Sequence, residues 1–214
     1  MKTTTATALA ILLLGSAAAS SLSAQGHFQW GNSISRIVRA PIYGLDPMHP
    51  TQSRSGNTAA GMPAGTQTYG GVPIEGPGYT AAIYTGDTAA QVMASITHVQ
   101  LDTFRSGPNA GLTTSQVTSD PNRPPGTANV HYQLRVWDNQ GGTITCWAQV
   151  MAAGGSIPCG VSDVLVFSTP LSVGPLGPPN TGGIRSFQLT AVPEPSLVAL
   201  GVLGFGTLFF RRRK

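Results

Sequence analysis

Two runs of alternating residues between positions 130 and 151 constrain the fold of this chain more than any other feature. In residues 130–137 and again in residues 144–151, apolar side chains recur at every second position. A period of two is that of a β-strand, whose successive side chains point to opposite faces of a sheet. The connection holds Asp138, Asn139 and two glycines, which favour a turn. The sequence therefore predicts a β-hairpin here, with Arg135, Trp137 and Trp147 on one face.

Further short segments have strand character, and they are separated by clusters of Gly, Pro, Ser and Asn. Residues 45–78 contain so many of these turn-forming residues that we expect a long loop. Residues 88–94 favour one or two helical turns. The predicted strands are 34–38, 78–84, 99–104, 161–167 and 184–189, with 66–69 and 112–117 as weaker candidates.

The composition agrees with an all-β fold for residues 25–190. Charged residues make up only 9% of the chain, whereas it contains 27 Gly and 17 Pro. Long surface helices need Glu, Lys, Arg and Gln on their exposed face, so this composition disfavours them. About 165 residues form one domain of ordinary size. We expect an antiparallel β-sandwich, either immunoglobulin-like or jelly-roll.

The net charge of +4 does not indicate a nucleic-acid partner. Residues 25–190 contain seven Arg, no Lys and seven acidic residues, so the predicted domain is neutral. The positive excess lies entirely in the two terminal segments. A basic surface is typical of nucleic-acid-binding proteins, and the sequence of this domain predicts no such surface. The missing lysines also exclude lysine-based catalysis in this region.

The N-terminal residues 1–24 are typical of a secretory signal peptide. Lys2 provides a positive start, residues 6–15 form a short apolar core, and residues 16–24 are mostly small. Signal peptidase would cleave after Ala24, and cleavage after Ala19 is the alternative. We therefore expect the protein to be exported.

Residues 191–214 combine three features in a fixed order. Pro193, Glu194 and Pro195, flanked by Val192 and Ser196, come first, and the charge-free apolar run 197–210 follows. As a helix that run would reach ~21 Å, short of the ~30 Å hydrocarbon core of a bilayer. A basic tail then holds the C-terminus on the cytoplasmic side. The tail consists of Arg211, Arg212, Arg213 and Lys214.

These three parts, in this order, resemble the PEP-CTERM sorting signal. The resemblance implies a substrate of exosortase, a membrane protease-transpeptidase of Gram-negative bacteria that make extracellular polysaccharide. It also implies that a single C-terminal helix holds the protein in the inner membrane before processing. The destination would then be the cell surface or an exopolysaccharide matrix. An ordinary C-terminal membrane anchor is the alternative.

The chain has two cysteines, Cys146 and Cys159. In an oxidising compartment, such a closely spaced pair usually forms a disulfide. Closing a loop of this length, about 14 residues, would stabilise the fold by ~3 kcal/mol. A metal site built on these two thiols lacks neighbouring ligands in the sequence.

No motif predicts catalysis, a cofactor or a metal centre. The histidines lack ligand spacing, and the acidic residues are scattered. Oxygen ligands for Ca²⁺ at Asp120 and Asn122, or at Asp138 and Asn139, are less favoured than turn formation. We therefore expect a non-catalytic protein of structural or adhesive type. The alternatives are a carbohydrate- or surface-binding module, possibly ice-binding, and a secreted glycan hydrolase. The histidines are His27, His49, His98 and His131.

Overall fold

The computed structural model describes residues 25–175 and 177–191. This part of the chain consists mostly of strands with few helices, and its strands pair in antiparallel sheets, as predicted. The strands are β1 Gly26–Trp30, β2 Ser33–Ile34, β3 Val38–Arg39, β4 Gly76–Gly86, β5 Gln100–Phe104, β6 Gln116–Asp120, β7 His131–Asp138, β8 Cys159–Val161 and β9 Leu165–Val166; the helices are α1 Ala89–Ala94 and α2 Trp147–Ala152.

A five-stranded antiparallel sheet forms the centre of the domain. Its order is β5-β4-β7-β8, and β9 pairs with the opposite end of β7. In the long β4–β7 pair, Ile83 lies opposite Leu134 and Gly86 lies opposite His131. Strand β7 confirms the prediction from the first alternating run. Separately, β1 pairs with β6 and β2 pairs with β3.

Both faces of the central sheet are buried where β7 pairs with β4. On one face, Ala81 and Leu134 belong to the main core, which also contains Phe28 and Trp30 of β1. On the other face, Ala82 packs with the side chains of the two helices. Neighbouring residues of a strand point to opposite faces, so the alternation in β4 and β7 supplies both clusters. The second cluster consists of Ala82, Tyr84, Val92, Trp137, Trp147, Val150 and Ile157.

Helix α1 forms where residues 88–94 favour helical turns. The side chain of its N-cap residue, Thr88, accepts a hydrogen bond from the Gln91 backbone N–H at 3.2 Å. This satisfies one of the donors that a helix start leaves open. Val92 is fully buried in the second cluster, where it packs against residues of the sheet.

The predicted hairpin over residues 130–151 is wrong in its second half, which contains α2 instead of a strand. The Gln149 side chain accepts hydrogen bonds from the backbone N–H of Thr145 at 2.7 Å and of Cys146 at 3.2 Å. These hydrogen bonds from the Gln149 side chain cap the start of the helix at Trp147. Ala, Gln and Met are good helix formers, and Trp147 and Val150, three residues apart, supply its buried side.

Several other predicted strands are shorter than expected or absent. Residues 161–167 divide into β8 and β9 because Ser162 turns inward, and its hydroxyl accepts from the Leu134 N–H at 3.0 Å. Residues 184–189 form only isolated bridges, residues 66–69 form no strand, and residues 112–117 contribute only the start of β6. The long loop 45–78 is largely irregular, as predicted.

The predicted signal peptide 1–24 and nearly all of the predicted sorting segment 191–214 lie outside the described residues. Within residues 25–175 and 177–191, no helix combines the length and apolar character that crossing a bilayer requires.

Candidate functional site

The predicted sorting motif (residues 192–196) and basic tail (residues 211–214) lie outside the described residues. The two residues just before the motif are hydrogen-bonded to the folded domain. Ala191 donates its backbone N–H to the Pro50 carbonyl at 3.0 Å, and Thr190 pairs with Cys159 of β8. The chain therefore reaches Val192 from a fixed point beside β8. Only five residues, 192–196, separate this point from the apolar run.

Cys146 and Cys159 are both free, partly exposed thiols in the structure, whereas the sequence predicts a disulfide. Cys146 is the N-cap residue of α2, and Cys159 lies in β8 and packs against the second cluster. Burial raises the pKa of the Cys159 thiol. The bond stays a prediction for the protein in an oxidising compartment.

The four histidines do not come together. In the part of the chain that the structure describes, no three His, Cys, Asp or Glu side chains are grouped to hold a metal ion. His98 stands edge-on to the Tyr84 ring, with 6.4 Å between the ring centroids. Burial lowers the pKa of His98, so its imidazole is neutral near pH 7. His131 lies at the start of β7 and pairs with Gly86, not with His98.

The candidate calcium ligands serve turns and an ion pair. Asp120 is fully buried, and its Oδ2 lies 2.8 Å from Arg123 Nη1 and accepts from the Thr85 hydroxyl at 2.6 Å. Its Oδ1 accepts from the Asn122 N–H at 2.9 Å. Asp138 likewise accepts from a backbone N–H two residues ahead, at 2.8 Å. Both carboxylates thus act as the turn residues that the sequence favoured.

An open cleft of about 490 Å³ lies beside the Arg123 network. Arg123 links two carboxylates, because its Nε lies 2.9 Å from Asp87 Oδ1 and its Nη1 reaches Asp120. Asp87 is exposed, but Asp120 has both oxygens engaged. Glycoside hydrolysis needs one carboxyl group to donate a proton and a second to attack or to activate water. Asp120 is paired with Arg123, so it is unsuited both to donating a proton and to attacking the sugar or activating water.

Arg135 is buried without an acidic partner. None of the ion pairs in the described part of the chain involves it. Its guanidinium donates to the Ser95 carbonyl at 2.7 Å and to the carbonyls of Val92 and Met93, which end α1. It lies 4.1 Å from the Tyr84 ring centroid and 5.2 Å from that of Trp147. Burial lowers the pKa of Arg135. Arg135 and Trp137 lie on the same face of β7, as predicted, whereas Trp147 contacts them from α2 and not from the predicted second strand.

A smaller cleft of about 210 Å³ adjoins Trp147, and we call it the Trp147 cleft. Sequence reasoning missed it because its walls come from four separate segments, the first and last of which are more than 130 residues apart, and no local pattern connects them. It is lined by Ser53, Arg54, Ser55, Trp147, Cys159, Gly160, Val161, Phe187, Gln188 and Thr190.

Comparison with protein-family models, with curated proteins and with solved structures finds no match for this chain.

Proposed function

We propose that this protein is an exported, exosortase-sorted component of the cell surface or extracellular matrix, with a structural or adhesive role. The observation that carries the proposal is the order of features in residues 192–214: a Pro-Glu-Pro motif, an apolar run and a basic tail. The signal peptide expected at residues 1–24 would start export through signal peptidase. The apolar run would hold the protein transiently in the inner membrane.

The physical roles of the three parts support this proposal. Prolines fix φ and disfavour helix in the preceding residue, so the motif favours an extended backbone that a protease can reach. The 14-residue apolar run is marginal as a permanent membrane span. The four basic residues set its orientation. The anchored Ala191 would keep the motif within a few residues of the folded domain.

For the domain itself we propose a β-sandwich of the immunoglobulin-like or jelly-roll kind. The central sheet and the β1–β6 pair contribute side chains to one main core, which supports two packed layers. The non-catalytic role is supported by the structural use of Asp120 and Asp138, whose oxygens accept hydrogen bonds within turns. A secreted hydrolase is the less favoured reading.

Intact-mass analysis of the protein from cells with and without the exosortase tests the sorting proposal. With the enzyme present, we expect loss of a C-terminal fragment that contains the apolar run and the basic tail, through cleavage near Pro193–Pro195. Without the enzyme, the full C-terminus should remain. The N-terminal mass should show removal of residues 1–24 in both strains.

The only two glutamates of the chain offer a matched pair of variants. Glu194→Gln changes the motif, whereas Glu75→Gln changes a surface residue whose Oε2 accepts from the Gly107 N–H at 3.1 Å. We expect Glu194→Gln to reduce C-terminal processing and Glu75→Gln to leave it unchanged. An identical C-terminal mass in both strains would contradict the proposal.

A further inference from the structure

The two helices carry the same pentapeptide. Residues 90–94 of α1 and residues 148–152 of α2 both have the sequence Ala-Gln-Val-Met-Ala. In each helix the glutamine side chain accepts a backbone hydrogen bond from the residue four positions before it. The valine that follows is buried in the second cluster, whereas the methionine after it is exposed. Both helices therefore present a methionine on their outer side.

Four exposed apolar side chains lie around Arg135, and we call them the apolar face. The Arg135 guanidinium donates to the last carbonyls of α1, among them that of Met93, and it lies 5.2 Å from the Trp147 ring centroid. Met151 is one turn further along α2. Val161 pairs directly with Arg135, so its side chain points to the same side of the sheet. The apolar face consists of Met93, Ile96, Met151 and Val161, which are 60%, 62%, 65% and 45% exposed.

The segments that form the apolar face carry no charge. Residues 88–101 and 139–162 contain no Asp, Glu, Lys or Arg. Surfaces that remain in water usually mix both signs of charge. Grouped apolar side chains on an uncharged surface are typical of contact with a partner protein or a membrane. Such a face can also enter a lipid interface without removing an ion from water.

The segment that leads to the sorting motif ends beside this face. Thr190 pairs with Cys159 of β8, and it lines the Trp147 cleft together with Val161. Only five residues, 192–196, lie between Ala191 and the apolar run, and a connection of this length reaches at most about 20 Å. A domain of this size is roughly 40 Å across. An apolar run in the bilayer would therefore keep the Ala191 side of the domain against the lipid.

We propose that the apolar face rests in the headgroup region of the bilayer while the apolar run holds the protein there, an inference that rests on the sorting function proposed above. The lipid that it contacts is neutral, because its segments contain no cation and Arg135 beneath it is only 2% exposed. The flexible thioether of methionine adapts to such a fluid surface. A second copy of the chain fits less well, since each partner of a stable dimer buries about 800 Å², more than four side chains supply.

Methionine oxidation measures this contact without a label, because hydrogen peroxide converts accessible methionines to sulfoxides. The full-length protein from cells without the exosortase would be placed in phosphatidylcholine vesicles and oxidised, and peptide mass would give the rate at each methionine. Met62 is the internal reference, because it pairs with Arg39 of β3, and Val38 of β3 packs in the main core on the other face of the sheet. Met48 is not a reference, because it lies two residues before Pro50, which holds Ala191.

Two aspartate variants test the apolar face. Ile96→Asp places a charge on it, whereas Ile37→Asp places one between β2 and β3, on the other side of the sheet. Both positions are exposed, so both variants should fold. In vesicles we expect Met93 and Met151 to oxidise at least about threefold more slowly in the unaltered protein and in Ile37→Asp than in Ile96→Asp. Met62 should oxidise equally in all three proteins.

Met151 is the decisive reporter, because it lies on a different helix from the altered Ile96. Equal Met151 rates in the unaltered protein and in Ile96→Asp would overturn the proposal. Protection that disappears when the protein is diluted into excess lipid would also overturn it, because a second copy would then be covering the face. Co-flotation with the vesicles tests the anchor separately. If the unaltered protein does not float, the sorting proposal fails together with this one; if it floats without slower oxidation, this inference alone fails.

Discussion

Arg135 is a buried cation that is stabilised by carbonyls and aromatic rings instead of by a carboxylate. The last carbonyls of a helix have no partner within it, and Arg135 satisfies those of Val92 and Met93. The Tyr84 ring stacked at 4.1 Å adds a cation–π interaction. One side chain of β7 thereby fixes the end of α1 to the sheet.

Replacing this arginine should destabilise the fold. In Arg135→Met the buried Gln133 Oε1 and the partly buried carbonyls of Met93 and Ser95 lose a hydrogen-bond donor, at a cost of about 3 kcal/mol. Arg185→Met, at an exposed position, should change stability by less than about 0.5 kcal/mol. Urea unfolding followed by circular dichroism measures both. Equal midpoints for the two variants would contradict this role of Arg135.

His98 should make stability depend on pH. Burial lowers its pKa in the folded protein below the value of ~6.5 in the unfolded chain. On acidification the unfolded chain therefore binds a proton first, so stability falls as pH decreases from ~6.5 towards the folded pKa. Above ~6.5 this residue adds no pH dependence. Urea midpoints between pH 5 and pH 8 should show a shallower acid decline in His98→Gln than in the unaltered protein; parallel curves would disprove the assignment.

At the scale of elements, α1 can pack on the sheet only because β4 ends in glycine. A Cβ added to Gly86 would lie 2.7 Å from Val92 Cγ2 and 2.9 Å from the Val92 backbone nitrogen. Real side chains do not approach so closely, and the nitrogen belongs to the helix backbone. The close contact between β4 and α1 therefore requires the absence of a side chain at this position.

Gly86→Ala should push α1 away from the sheet and destabilise the protein by about 2 kcal/mol, as overpacking does. Gly78→Ala is the matched control, because it lies in the same strand and its added Cβ meets nothing within 4 Å. Thermal unfolding of both variants tests this, with a lower midpoint expected only for Gly86→Ala. A control variant that is equally destabilised would point instead to a general cost of Ala in β4.

At the scale of the whole molecule, the region between Cys146 and Cys159 holds α2 over the second face of the sheet. If the protein is exported as we propose, oxidation should join these two cysteines and stabilise the domain by ~3 kcal/mol. The exported protein should then be ~2 Da lighter before reduction than after it, since each disulfide removes two hydrogens. The Cys146→Ser/Cys159→Ser variant should unfold at lower urea concentration. Alkylation of both thiols without prior reduction would contradict the bond.

Periodicity and composition alone predict the antiparallel β character, the strand at β7 and the short helix α1. These features depend on residues that are neighbours in sequence: the alternation of Tyr132, Leu134 and Val136, and the scarcity of charged residues that surface helices need. Strand alternation also predicts that Arg135 and Trp137 share a face, whereas the contact of Trp147 with them comes from α2, which the sequence did not predict.

Only the tertiary structure decided that residues 147–152 form a helix and that Gln188 meets Trp147 at a cleft. An alternating apolar pattern of eight residues fits a strand, but a cap at Cys146 and a buried face at Trp147 and Val150 outweigh it. The Trp147 cleft joins segments that are distant in the chain, and their meeting is set by how the sheets and loops pack. Local patterns report local geometry, whereas a site built from distant segments exists only once the chain has folded.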